Sequence, residues 1–112
     1  MPADEYSLRH YVAANGKRPF AEWLYSLRDR DAAARIQIRL ERLRFGNFGD
    51  SRFLGSGLSE LRIDAGPGYR VYFTLDGGSV VLLLCGGDKR TQQKDINRAR
   101  QYLADYKGRP DA

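Results

Sequence analysis

The chain carries one cysteine, one histidine, one tryptophan and one methionine among 112 residues. A lone cysteine excludes an internal disulfide framework, and Cys85, at the end of an apolar run, reads as a small buried hydrophobe. With a single histidine as well, there is no Cys/His cluster to hold a metal and no paired-carboxylate spacing to replace one. Long apolar runs are also missing. The longest, Val80 to Cys85, is far too short to cross a membrane. Residues 46–57 are rich in glycine but lack a Gly-Lys-Ser/Thr ending and a preceding strand, which removes a phosphate-cradling nucleotide loop. The opening Met-Pro-Ala-Asp-Glu is acidic with no apolar core, so no signal peptide is expected. No repeat, linker or low-complexity tract interrupts the chain. Residues 1–112 are therefore expected to form one cytoplasmic domain with no membrane partner.

What the chain has in excess is arginine. The formal charge is +5, from fifteen arginines and four lysines against 14 acidic residues. The planar guanidinium fork matches phosphates and carboxylates, so the balance favours nucleic acid or an acidic protein surface as partner.

The stretch from Leu58 to Thr91 concentrates this tendency. Leu61 and Ile63 alternate with Glu60, Arg62 and Asp64, and Val71, Phe73 and Leu75 alternate with Arg70, Tyr72 and Thr74, the period of two half-buried strands. A turn at Ala65-Gly66-Pro67-Gly68 closes them into a hairpin and, centred on Gly66, sets Arg62 opposite Arg70. Directly opposed like charges cost about half a kcal/mol, so two arginines at that place point to an anionic ligand. Asp76-Gly77-Gly78 makes the next turn. Val80 to Leu84 is apolar on both faces, as a central strand covered on each side should be. It runs out in a basic Gly-Gly-Asp-Lys-Arg-Thr loop.

Around this stretch the spacing predicts a strand over Tyr6–Val12, with His10 in the core, and a helix opened by Pro19 with Phe20, Trp23, Leu24 and Leu27 along one stripe. A second helix, capped by Asp29 or Asp31, runs to Phe45 and buries Ile36, Leu40 and Leu43. Arg35, Arg39 and Arg42 line its other side, as a solvated face or as a docking surface for RNA backbone or an acidic partner. Phe53 and Leu54 add a short strand or plug the core. A last helix follows Thr91, burying Ile96, Ala99, Leu103 and Tyr106. The expected fold is α+β, an antiparallel-rich sheet of about four strands with an N-terminal helical hairpin and a C-terminal helix.

Taken in order, Pro19-Phe20-Ala21-Glu22-Trp23-Leu24, Glu60-Leu61-Arg62, Gly68-Tyr69-Arg70-Val71-Tyr72-Phe73 and Gly87-Asp88-Lys89-Arg90-Thr91-Gln92 resemble the RelE/ParE superfamily of toxins from toxin–antitoxin modules. The nearest likeness is to its HigB-like branch, the addiction module killer proteins. The resemblance implies a small RelE-like fold and a toxin that cuts messenger RNA on the ribosome, held in check by a cognate helix-turn-helix antitoxin. The implied reaction is attack of a ribose 2′-hydroxyl on the adjacent phosphate, with no metal or cofactor. Such chemistry needs fixed cations on a rigid support. By motif position Arg70 matches the family's strand arginine and Lys89-Arg90 its basic loop; Arg70 and Lys89 are the first catalytic candidates, followed by Arg62, from the hairpin register, and Arg90. Tyr69 and Tyr72 are candidates for base stacking, and Arg35, Arg39 and Arg42 for backbone contacts. Ile96 stands where some ribosome-dependent relatives carry a tyrosine, which leaves Asp88, Asp95, Glu60, a lysine or Tyr102 as proton acceptor. The superfamily also contains ParE-like gyrase-inhibiting toxins that catalyse nothing, and an RNA-binding regulator fits the same charges.

Overall fold

The computed structural model describes residues 5–110. Its strands are β1 (Ser7–His10), β2 (Ser51–Gly55), β3 (Leu58–Ile63), β4 (Tyr69–Asp76) and β5 (Val80–Asp88), and its helices α1 (Pro19–Ser26), α2 (Arg30–Arg44) and α3 (Gln92–Lys107). The strands form one mixed sheet in the order β1-β5-β4-β3-β2, parallel between β1 and β5 and antiparallel elsewhere. The α+β class agrees with expectation, but the sheet has five strands and not about four. The extra one is β2, an edge strand in which Leu54 slips out of register and packs inward while Phe53 stays exposed. A further correction concerns the basic loop: Gly86, Gly87 and Asp88 belong to β5, and only Lys89–Thr91 leave it, as a short 3-10 turn.

Local chemistry accounts for the helix boundaries. Pro19 opens α1, where its missing N–H costs nothing. Asp29, and not Asp31, caps α2 by accepting a hydrogen bond from the Ala32 N–H at 3.0 Å. Gly46, in the left-handed region at φ +80°, turns the chain away after α2.

Each face of the sheet carries its own apolar cluster. On one face Phe20 of α1 and Ile36, Leu40 and Leu43 of α2 meet Leu61, Ile63, Val71, Phe73, Val81 and Leu83. On the other, Ala99 and Leu103 of α3 meet Leu58, Tyr72, Leu82, Leu84 and Cys85. Strand alternation alone would send Leu84 and Cys85 to opposite faces. A bulge does otherwise: Tyr72 pairs with Cys85 and Phe73 with Leu83, leaving Leu84 without a partner and both residues under α3. Burial pushes the Cys85 thiol up to about 12, in keeping with a packing role. His10 departs from expectation, since it sits exposed near the edge of the sheet against the ring of Phe20. No helix among the described residues is long and apolar enough to cross a membrane.

The bulge also sets the phase of Gly86 and Gly87. A methyl group at Gly86 would collide with the Trp23 ring of α1, and one at Gly87 with the Asp95 carboxylate of α3. Gly86→Ala and Gly87→Ala should each lower stability by about 1–3 kcal/mol, the usual cost of overpacking. Urea unfolding followed by the fluorescence of the single tryptophan measures it, and an unchanged midpoint would contradict this packing.

Candidate functional site

The hairpin register is as the turn predicts: Arg62 lies opposite Arg70, and Arg70 pairs in turn with Gly87. All three face the α3 side of the sheet. The helix begins over this row, with Asp95 seated against Gly87 and Gln92 reaching down to Glu60. The two arginines are thus left half-buried at the margin of the helix.

Glu60 holds the arrangement. Its side chain is 0% exposed. It accepts hydrogen bonds from Gln92 Nε2 at 2.7 Å, Tyr72 Oη at 3.0 Å and Arg62 Nε at 3.2 Å, and Arg70 Nε lies 4.0 Å away. Burial alone would raise its pKa, but those three donors and the Arg70 charge outweigh it and hold the carboxyl below the usual range. Opposed arginines are therefore tolerated because one buried carboxylate sits beside both. Arg70 keeps an unmet donor: its buried Nε has no hydrogen-bond partner, and its bonds run from Nη1 to the Gly68 and Tyr69 carbonyls at 3.3 Å.

Two adjoining hollows of about 320 and 420 Å³ share Arg62, Arg70 and Lys89 as walls. Asp50, Ile63, Asp64 and Gly68 complete the first; Arg52, Gln92, Gln93 and Ile96 complete the second. Together they form one groove lined by four cations, open to solvent where α3 starts. Its four fixed cations have the chemistry to meet an anion such as a phosphodiester.

Other candidates fall elsewhere. Arg90 is exposed, turned back onto Asp88 in a 3.0 Å ion pair, and walls neither hollow. Tyr72 is fully buried under α3 with its hydroxyl on Glu60, so its ring has no face for a base. Burial, then the Glu60 charge, raises its pKa. Tyr69 is buried on the opposite side of the sheet, edge-on to Trp23. Both corrections have one cause: α1 and α3 cover this part of the sheet from both sides. Arg39 is a strut, donating to the Arg62 carbonyl at 2.6 Å and to the Phe48 and Asp50 carbonyls at 3.2 Å. Arg35 and Arg42 remain exposed, around a hollow beside Ile38 that reaches the groove through Ile63 and Asp64.

The expected proton acceptors are engaged too. Asp88 caps the 3-10 turn, buried Asp95 accepts from Thr91, and Tyr102 stacks on Tyr11. Ile96 does line the groove, so its apolar side chain stands at the site. Sequence reasoning missed Arg52 and Gln92 as walls. Arg52 pairs with Glu60 across β2 and β3, a register that was readable only once Ser51–Gly55 was known to be a strand. Among the described residues, no three His, Cys, Asp or Glu side chains converge as a metal site would require.

Residues 22–104 match the family described as phage-derived protein Gp49-like (DUF891). The chain is also 53% identical over 81 residues to an uncharacterized protein of Haemophilus influenzae, an alignment spanning 72% of this chain and 82% of that one. The family match takes in α2, the whole hairpin, Lys89 and most of α3.

Glu60 makes the groove's integrity dependent on pH. A carboxyl whose folded-state pKa is depressed stabilises the fold fully above its unfolded value, near 4.3, and the contribution is lost as pH falls through the folded value. Glu60→Gln should therefore lower stability at pH 7 and flatten its decline in acid. The loss should be about 1–3 kcal/mol, less than for a wholly buried pair because Arg62 is a third exposed. Urea midpoints of both proteins from pH 3 to 7 check this, and parallel curves would show that Glu60 does not act through its charge.

Proposed function

The chain belongs to the phage-derived Gp49-like family, a family of toxins from toxin–antitoxin modules, and on that premise we propose that it is a ribosome-dependent endoribonuclease of messenger RNA. The observation that carries the reading is the convergence of Arg62, Arg70 and Lys89 on one groove, two of them oriented by a buried carboxylate. In the proposed reaction the ribose 2′-oxygen attacks the adjacent phosphorus. A bond from O2′ to phosphorus forms, the bond to O5′ breaks, and the products are a 2′,3′-cyclic phosphate and a free 5′-hydroxyl. Arg70 and Lys89 hold the non-bridging oxygens as their charge grows, with Arg62 beside them, and Arg52 and Gln93 contact the flanking strand. Fixed donors of this kind typically contribute about 2.7–4 kcal/mol each when aimed at developing charge. Of the groups lining the groove, Asp50 and Asp64 have the chemistry to accept the 2′-hydroxyl proton, and the Lys89 ammonium has the chemistry to return one to O5′.

The family implies an antitoxin as partner. A helix-turn-helix protein in the HigB-like manner is the form proposed, and the exposed Arg35, Ile38 and Arg42 surface offers messenger or ribosomal RNA a backbone contact beside the groove.

Purified protein should cut messenger RNA only when programmed ribosomes are present, as primer extension would reveal. Arg70→Ala and Lys89→Ala should each lower the rate at least about tenfold, or about 1.4 kcal/mol of transition-state stabilisation, whereas Arg90→Ala should change it by less than about threefold. Intact message together with inhibited DNA supercoiling would replace this reading with a gyrase-inhibiting one. RNA binding without cleavage would leave a regulator.

A further inference from the structure

A second cationic cleft lies apart from the groove. It is a hollow of about 260 Å³ between α1 and α2, walled by His10, Arg18, Leu24, Tyr25, Arg30 and Gln37 among others. No carboxylate contributes to its wall. Neither Arg18 nor Arg30 forms an ion pair among the described residues, and the one side-chain hydrogen bond of Arg30 goes to the Leu27 carbonyl. Of the acids close by in the chain, Glu22 accepts from the Arg18 backbone N–H and Asp29 from the Ala32 N–H. An anion seated in the cleft would therefore meet two guanidinium groups and no carboxylate in its wall. Partial desolvation at the cleft wall, followed by the Arg18 charge, lowers the pKa of His10 and so favours the neutral imidazole.

Tyr25 supplies the independent observation. It lines the same cleft, yet 83% of its surface is exposed, the largest exposure among the big hydrophobic side chains described. A flat ring left unpacked in the same cleft as two guanidinium groups that form no ion pair is suited to stack on a planar ligand that also carries an anion. The volume falls just under the low end of small-ligand sites, about 300 Å³, which limits the ligand to a compact unit.

We propose that the α1–α2 cleft binds a nucleotide unit, with its phosphate between Arg18 and Arg30 and its base against Tyr25. A free mononucleotide and one residue of a single-stranded RNA share this chemistry. The inference stands apart from cleavage, because none of the cleft's residues walls the groove.

The single histidine is a built-in probe. NMR of the imidazole in the full chain would be followed during titration with adenosine monophosphate, hexauridylate or inorganic phosphate at constant ionic strength. Saturable shifts of the His10 signals with the mononucleotide alone identify a free nucleotide as the source, and tighter saturation with the hexamer identifies a strand. The pair Arg18→Gln and Arg30→Gln should weaken binding at least tenfold, and Tyr25→Ala should weaken the mononucleotide but not phosphate. All three positions are at the surface, and a dispersed amide spectrum confirms that each variant is folded. Arg70→Ala should leave the His10 shifts unchanged even if it abolishes cleavage, which separates this site from the groove. No saturable shift with either nucleotide, or phosphate binding as tightly as the mononucleotide with no effect of Tyr25→Ala, overturns the proposal.

Discussion

The buried carboxylate of Glu60 is the constraint around which this end of the molecule is arranged. Placing an ionised carboxyl where water does not reach costs several kcal/mol, and only paired charges and full hydrogen bonding recover it. Glu60 obtains these from three separate elements: Arg62 on its own strand, Arg70 and Tyr72 on β4, and Gln92 at the first turn of α3. The same contacts fix the direction in which the two guanidinium groups point. Stability and the placement of the guanidinium groups are therefore not separable here, since the group that lets the arginines coexist also sits beside both of them.

Much of this was legible in the sequence because it rests on strict local rules. A Gly-Pro-Gly turn between strands of period two leaves little choice of register, so the Arg62–Arg70 opposition followed directly, and the paired strand β5 then had to deliver Lys89 to the same end. Pro19, Asp29 and Gly46 marked helix boundaries for the same reason. The family likeness pointed the same way, and the Gly-Tyr-Arg and Asp-Lys-Arg-Thr segments that carried it lie within the matched region.

What was not legible depends on contacts between residues far apart in the chain. Alternation in β4 separates Tyr72 and Thr74 from Val71 and Phe73, but it does not say that α3 will cover the more polar of the two faces. Tyr72 therefore reads as exposed and is a core residue. The arginines of α2 are alike by helical spacing, yet Arg39 alone finds three backbone carbonyls, because the loop carrying Phe48 and Asp50 returns past it. Arg52 was hidden for the opposite reason: an edge strand with one neighbour and a bulge shows no alternation to read.

The Gly86–Gly87 pair has a consequence beyond packing. Successive residues of a strand face opposite ways, so Trp23 presses on β5 from one side and Asp95 from the other at adjacent positions, with no side chain between them. The two helical layers are there separated by the thickness of a single peptide backbone. The indole of Trp23 thus rests on the same short length of chain that meets the first turn of α3, which puts an optical probe one backbone away from the groove.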